Sequence, residues 1–525
     1  MKIILTIIFM LLAYINYRDL NIGFLSLYSI DEYAFHGSLI NMYDGLTTLD
    51  IKKLFSFGFY SYGFGFFFVN LLAAAPFFAT DNIEMTIYIP RIITSLYAVG
   101  SVWFVYKIAR QYSTKYISIL IALLILTMPG FYRNALWFHP DWMMTFFIVL
   151  AVYFFAKDNW DFKKYFWWAS VSLGFALATK IQAITFIPFV FMYLFYDNFN
   201  YKTFEYLKLK IKLFFKSIAI SISIFIVANP YLIHPTGLKA FISSFIENMK
   251  SNATNHGLDI KVTIGDKISH AIDFYYFNAF IFILFSFVAL ISVFSILKKD
   301  VEKSIIPLVG VYFIINILYM FLMVNKDWQH YYLSIFTLIP LVMIYITYRL
   351  EKYKYLIVCV IILLQVVTHI SEYSYVFAKG YHSEKEISTL KQDEMSTILI
   401  KDLGQEIDNR SHILISTYQP FDFRSTGLSY KNIHVIYGPI SKNMFNLESY
   451  LEKSNLKNPL NFKEKDFIIL SKNDIYFDKE KLKTRVDKEG FRKAIKIIDN
   501  LNRGGDLGYE KFKDNEYFYI WRKKK

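Results

Sequence analysis

Long apolar runs separated by short charged clusters fill the first 372 residues of this 525-residue chain. The runs lie near residues 3–17, 88–106, 116–131, 142–156, 165–179, 181–196, 213–232, 274–297, 304–324, 331–348 and 355–371. Runs of this length and hydropathy predict helices that cross a bilayer, about eleven of them. Residues 57–79 form a further run long enough to cross. Past residue 372 the period changes. His412–Ser416, Asn432–Tyr437, Asp466–Leu470 and Tyr517–Trp521 read as short strands between amphipathic stretches, which predicts a small α/β domain. The expected organisation is a polytopic α-helical membrane protein over residues 1–372, followed by a water-soluble α/β domain over 373–525. Lys2 and the apolar residues behind it have no small-residue cleavage site after them, so the first run is expected to stay as a helix.

The basic residues give this pattern a direction. Loops after the second, fourth, sixth, eighth and tenth runs hold Lys107/Arg110/Lys115, Lys157/Lys163/Lys164, Lys202/Lys208/Lys210/Lys212/Lys216, Lys298/Lys299/Lys303 and Arg349/Lys352/Lys354. The intervening short loops hold few. Lys and Arg accumulate on the cytoplasmic side, so the N-terminus is expected inside and the C-terminal domain outside. Making 57–79 a span would reverse every later loop. That run is therefore expected to lie in the outer interface, where Tyr and Phe are at home, within an interfacial region over 31–79. The same parity splits 165–196 into two helices turning near Lys180.

Composition agrees with a membrane chain: 55% hydrophobic, 19% aromatic and 19% charged, against about 25% charged in soluble domains. The net charge of +14 is accounted for by the inner loops and does not call for nucleic acid. A single cysteine, Cys359, excludes internal disulfides.

With the orientation set, the outer loops collect the polar chemistry. The first carries Asp31-Glu32 and His36 beside apolar LSLYSI, and ionisable groups at that depth are costly and usually have a partner or a task. The second runs from Phe131 through Arg133, Trp137 and His139 to Pro140-Asp141. There Pro suits the first turn of the next helix and Asp complements its dipole. Further along, Lys326, Gln329 and His330-Tyr331-Tyr332 place donors against aromatics, suited to a phosphate or to an interfacial belt. Arg91 opens the second span, and Lys180 lies in a turn where an unpaired ammonium would be expensive.

Taken in order, these segments resemble the GT-C-fold glycosyltransferases, specifically the protein O-mannosyltransferase and aminoarabinose-transferase-like group (family 39). The resemblance covers roughly residues 1–345. It rests on Asp31-Glu32, Tyr60-Ser-Tyr62, Pro90-Arg91-Ile-Ile-Thr-Ser-Leu, Pro129 to Asp141, Thr179-Lys180 and His330-Tyr331-Tyr332-Leu333. The family often has Pro-Pro where this chain has Tyr62-Gly63.

The resemblance implies an enzyme that transfers a hexosyl or pentosyl group from a polyprenyl-phosphate sugar to a glycan, lipid or protein acceptor at the outer membrane face, with inversion. It also implies a cell-envelope setting, expected to be a bacterial inner membrane. Asp31 is the expected base, with Glu32 and Asp141 orienting it or the acceptor. His36, Tyr62, Arg91, Arg133, His139, Lys180, Lys326, His330 and Tyr331 are the expected substrate contacts. A phosphate leaving group needs positive charge rather than a proton. No cofactor is required on this reading; an Mg or Mn ion held by Asp31, Glu32 and Asp141 is the alternative. Two other functions compete. A lipid-linked glycan polymerase or ligase has a similar number of spans, but usually a large outer loop with paired arginines, and 233–273 has only scattered lysines. A transporter places ionisable residues at mid-bilayer on broken helices; here the helix interiors are almost uncharged and Asn229-Pro230 is the one obvious break.

Overall fold

The computed structural model describes residues 1–18, 30–195, 204–254, 262–276, 279–297, 304–326, 328–374, 392–403, 406–407, 411–417, 433–437, 466–472, 499, 501–502 and 508–524. Lys202, Lys298, Lys299 and Lys303, used above to set the orientation, lie outside these residues.

Helix α1 (Lys2–Arg18) is followed by α2 (Ile30–Thr47), the single turn α3 (Ile51–Leu54) and α4 (Phe64–Ala79). A tightly packed bundle then begins with α5 (Ile83–Tyr112), α6 (Lys115–Leu126), α7 (Pro129–Ala135), α8 (Asp141–Asp158) and α9 (Lys164–Thr179). After a 3-10 turn at Ile181–Phe186 come α10 (Ile187–Phe195) and α11 (Phe204–Ala228), then α12 (Pro235–Thr254), α13 (Ile264–Tyr275), α14 (Ala279–Leu297) and α15 (Ile306–Met323). The run Gln329–Arg349 alternates 3-10 turns with α16 (Leu333–Leu338) and α17 (Met343–Arg349), and α18 (Lys354–Thr368) and α19 (Ile370–Ser374) close the module.

Each of the eleven apolar runs carries helix. By length and composition, four helices among the described residues suffice to cross a membrane: α5, α11, α15 and Gln329–Arg349. The number rises to six if α6 with α7, bent by 66°, and α13 with α14, bent by 97°, each make one broken span. The other apolar helices are shorter or more charged. The α6–α7 bend follows from Pro129 at the start of α7, which cannot donate to the preceding turn. The α13–α14 break exposes carbonyls that α18 satisfies: Gln365 Nε2 donates to Tyr275 O (2.7 Å) and the His369 ring meets Tyr276 O (2.9 Å). Lys267 does the same for α15. Its buried ammonium donates to the carbonyls of Met320, Phe321 and Val324 at the end of that helix, where positive charge also meets the negative pole of the helix dipole.

Two expectations drawn from parity meet the structure directly. α9 stops at Thr179 and Lys180 is extended (φ −154°, ψ 125°), so 165–196 is two helical segments turning at Lys180. Residues 57–79 yield only the 16-residue α4, whose Phe64, Phe66, Phe67, Leu71 and Ala74 pack against Phe35, Leu39 and Met42 of α2.

In the C-terminal part, five strands form one sheet in the order β2-β1-β3-β5-β4: β1 (Ile413–Thr417), β2 (Ile433–Tyr437), β3 (Phe467–Ser471), β4 (Tyr509–Asp514) and β5 (Phe518–Lys523). β1 runs parallel to both β2 and β3, while β5 is antiparallel to β3 and forms a hairpin with β4. Met395, Leu399 and Leu403 of the helix Gln392–Leu403 cover Ile413, Ile415, Phe467 and Ile469. Leu414, Ile468 and Trp521 are buried as well, so both faces are covered, as parallel strands require. β4 was not expected. Its sequence YEKFKD is that of an edge strand, where lysine and glutamate face water and hide the alternation.

Candidate active site

The site starts on the first turn of α2, where Asp31 and Glu32 favour the positive end of the helix dipole. Successive helix positions point about 100° apart, so the two carboxylates meet different surroundings. Glu32 is fully buried. Arg91 Nε and Nη2 donate to its two oxygens at 2.7 and 2.6 Å, and the Phe138 backbone N–H donates to Oε1 at 2.9 Å. This fork-to-fork pairing satisfies both ions and ties α2 and α5 to the turn before α8. Arg91 is thus engaged with Glu32, rather than standing free as a headgroup cation.

The Asp31 side chain is 37% exposed and lies 3.7 Å from His139 Nε2. Below it is a closely linked group. The His139 ring stacks on Trp137 (4.2 Å between centroids, 7° between planes), and its Nδ1 contacts Asp141 Oδ2. The other Asp141 oxygen accepts from Lys180 Nζ at 2.8 Å. Lys180 Nζ also lies 5.5 Å from the Tyr62 ring and 5.0 Å from the Tyr331 ring, within cation–π range. The His330 ring packs 4.8 Å from His139 and 4.7 Å from Tyr331. Asp31, Tyr62, His139, Asp141, Lys180, His330 and Tyr331 are therefore brought together from five separate segments.

Backbone contacts fix Lys180 and Tyr62 opposite each other. The two form an isolated antiparallel bridge, and Gly63 N donates to Thr179 O at 2.9 Å. A Cβ on Gly63 would overlap the Ala178 carbonyl oxygen, so this approach requires glycine. Asn229 Oδ1, beside the Asn-Pro break, accepts from Phe64 N at 2.7 Å and anchors the start of α4. The Tyr62-Gly63 departure from Pro-Pro is thus built into the packing. Burial, with Asp31, Tyr331 and Asp141 nearby, holds the Tyr62 hydroxyl well above its ordinary pKa, so it stays neutral.

Lys326 is buried within electrostatic reach of His330, and its Nζ donates to Ser251 Oγ at 2.9 Å. Two expected contacts lie apart. His36 is buried with Nε2 2.8 Å from Thr86 Oγ1; burial, reinforced by the charge of Arg91, pushes it down to about 3. Thr86 donates its own proton to Ile83 O, so His36 Nε2 is the donor. A neutral imidazole bonded in this way supports the fold. The Arg133 guanidinium sits 4.4 Å over the Phe274 ring, facing α13.

Of the oxygen-rich trio considered for Mg or Mn, Glu32 is bonded to Arg91 and Asp141 to Lys180. The donors that do converge are His139, Asp141 and His330, all within 4.8 Å of one another. Two imidazoles with one carboxylate suit zinc better than magnesium, and Lys180 already sits on Asp141. Sequence reasoning named Trp137, Gly63 and Asn229 without giving them a part in the site, and passed over Ser251 and the Phe138 N–H; none is an ionisable residue, and the last is not a side chain.

The order of these elements is that of the GT-C fold seen in ArnT, with several helices long and apolar enough to cross a membrane. Within the chain, residues 67–231 match the profile of the dolichyl-phosphate-mannose-protein mannosyltransferase family. That stretch includes Arg91, Arg133, His139, Asp141 and Lys180. The structure of ArnT from Cupriavidus metallidurans bound to undecaprenyl phosphate superposes with a TM-score of 0.61 at 10% identity, over 99% of this chain and 97% of that one. The oligosaccharyltransferase AglB from Archaeoglobus fulgidus, in complex with an inhibitory peptide and a dolichol-phosphate, superposes with a TM-score of 0.53 at 12% identity, over 99% and 74%. No curated protein matches the sequence.

Proposed function

We propose that this protein transfers a sugar from a polyprenyl-phosphate donor to an acceptor hydroxyl at the outer face of a bacterial inner membrane, with inversion. The observation that carries the reading is the separation of the three carboxylates. Glu32 is neutralised by Arg91, Asp141 by Lys180, and Asp31 alone is open to solvent at the rim of the cluster. Asp31 is the base. It takes the acceptor proton as the acceptor oxygen bonds to the anomeric carbon, and the bond from that carbon to the phosphate oxygen breaks with its electron pair leaving on the lipid phosphate. Lys326 offsets the charge of the departing phosphate, and the His330 ring beside it donates a hydrogen bond. Lys180 holds Asp141 and, through it, His139 against Asp31. Tyr62 and Tyr331 supply neutral hydroxyls and ring faces for the sugar. The donor lipid and the partner glycan, lipid or protein acceptor follow from the same chemistry; a divalent ion is not needed for the step. ArnT and AglB carry lipid phosphates in their structures, which supports the donor class.

The test is transfer from a radiolabelled polyprenyl-phosphate sugar by the reconstituted protein. Asp31→Asn should lower turnover about 10²- to 10⁴-fold while thermal unfolding and undecaprenyl phosphate binding stay as in the wild type. Near-normal turnover in that variant removes Asp31 from the base role.

A further inference from the structure

α12 (Pro235–Thr254) has an apolar flank that no part of the described protein covers. Leu238, Ile242, Ile246 and Met249 are 45%, 47%, 45% and 58% exposed. Their spacing of i, i+4, i+8 and i+11 puts them on one side of the helix. Phe241 packs inward on Phe225 of α11 (5.7 Å). Lys239 and Lys250 are exposed, one position from Leu238 and Met249 respectively, and border the stripe, while Glu247 lies further round toward water. The stripe also continues another surface: Ile222, Ile226 and Val227 of α11, then Ile233, are exposed as well, and α11 is long and apolar enough to cross the membrane.

The far end of α12 grips the cationic turn of the site. Besides the Ser251–Lys326 bond, Asn325 N donates to Asn252 O (2.7 Å), and the Tyr331 hydroxyl donates to Asn252 Oδ1 (3.3 Å). The residues that touch Lys326 and Tyr331 thus sit one turn or less beyond Met249.

We propose that α12 lies in the headgroup layer, its apolar stripe in the acyl region and Lys239 and Lys250 on anionic lipid phosphates, and that Ser251 and Asn252 are positioning residues that hold Lys326 and Tyr331 for the donor. The occupant of the stripe is the lipid leaflet. An amphipathic helix with lysines bordering its apolar side binds such a surface by burial and by charge, and the apolar band of α11 leads directly into it. The membrane itself thereby fixes the height of Lys326. The donor-binding half rests on the glycosyltransfer reading; the lipid-seating half does not.

The full chain, with Cys359→Ser removing the native thiol, is reconstituted into vesicles and labelled with an environment-sensitive fluorophore at Ile246→Cys or Glu247→Cys. Position 246 should emit to the blue and be quenched by doxyl-labelled lipid, and position 247 should not; equal behaviour at the two positions overturns the seating. Adding phosphatidylglycerol to phosphatidylcholine should strengthen the signal at 246, and Lys239→Gln with Lys250→Gln should abolish that gain. A wild-type signal indifferent to phosphatidylglycerol overturns the anionic-lipid contact. For positioning, Ser251→Ala should weaken undecaprenyl phosphate binding about 5- to 10-fold, the net size of one ordinary hydrogen bond, and Ser251→Thr should restore it. Unchanged affinity, or a loss that threonine does not rescue, overturns the positioning role. If the wild type binds no undecaprenyl phosphate, the glycosyltransfer reading fails, while the fluorescence pair still decides where α12 lies.

Discussion

Two corners of the molecule begin from adjacent residues and differ in kind. At the Glu32 corner every charge is buried with a close partner: carboxylate, guanidinium and the Phe138 N–H close on one another. At the Asp31 corner the same functional group stands at the rim of a cluster and keeps over a third of its surface. Removing one partner of a buried pair strands the other, which is a stability effect. Altering an accessible carboxylate changes what it can do to a substrate. The carboxylate pair legible in the sequence is one buried, fully paired residue beside one that stays accessible, to which the proposed function gives the chemistry.

The sharpest break of this comparison is Glu32→Gln set against Asp31→Asn. Asp31→Asn is expected to leave the melting temperature in detergent unchanged. Glu32→Gln should cost about 3–5 kcal/mol, because Arg91 is left buried with no partner charge, and its activity loss should follow the loss of folded protein. The double variant Glu32→Gln/Arg91→Met should recover much of that stability, since no buried ion remains; a double variant as unstable as the single would place the effect elsewhere. Next in size is Gly63→Ala. A methyl there meets the Ala178 carbonyl and forces the Tyr62–Lys180 strands apart, which should cost about 3 kcal/mol and reduce transfer; a fully stable, active variant would show that the approach is looser than described.

The smallest effect concerns pH. His36 is held neutral, down to about 3 from an ordinary 6.5, so the unfolded chain binds the extra proton between those values. Stability is complete above pH 6.5 and falls as the pH drops toward 3, by at most about 1.4 kcal/mol per pH unit. Thermal unfolding at pH 7, 6 and 5 should show that slope, flattened in His36→Gln.

Much of this architecture was legible because the membrane makes the rules strict. An apolar run must be helix, and lysine parity is counted over many loops, so the break at Lys180 could be read from charge, while of the run 57–79 expected in the interface the helix occupies only Phe64–Ala79. The site was legible as a set of residue types and less so as partnerships. Nothing in the letters says that Arg91 belongs to Glu32 or Lys180 to Asp141, because those pairs join segments far apart in the chain. Ser251 and Asn252 sit in an amphipathic stretch with no local signal, and Gly63 matters only because of the carbonyl it faces. β4 failed for the opposite reason: its lysines serve the water at a sheet edge and mask the strand.

The Tyr62–Lys180 bridge has a consequence for how the protein comes into being. Asp31, Tyr62, His139, Lys180 and His330 are made at widely separated moments of synthesis, and contacts of long sequence separation form last. A nascent chain that stops short of Asn325 has Asp31 but lacks Lys326, His330 and Tyr331. On the proposed reading, catalytic competence arrives only once Gln329–Arg349 is inserted, and half-built molecules are inert toward the lipid pool around them.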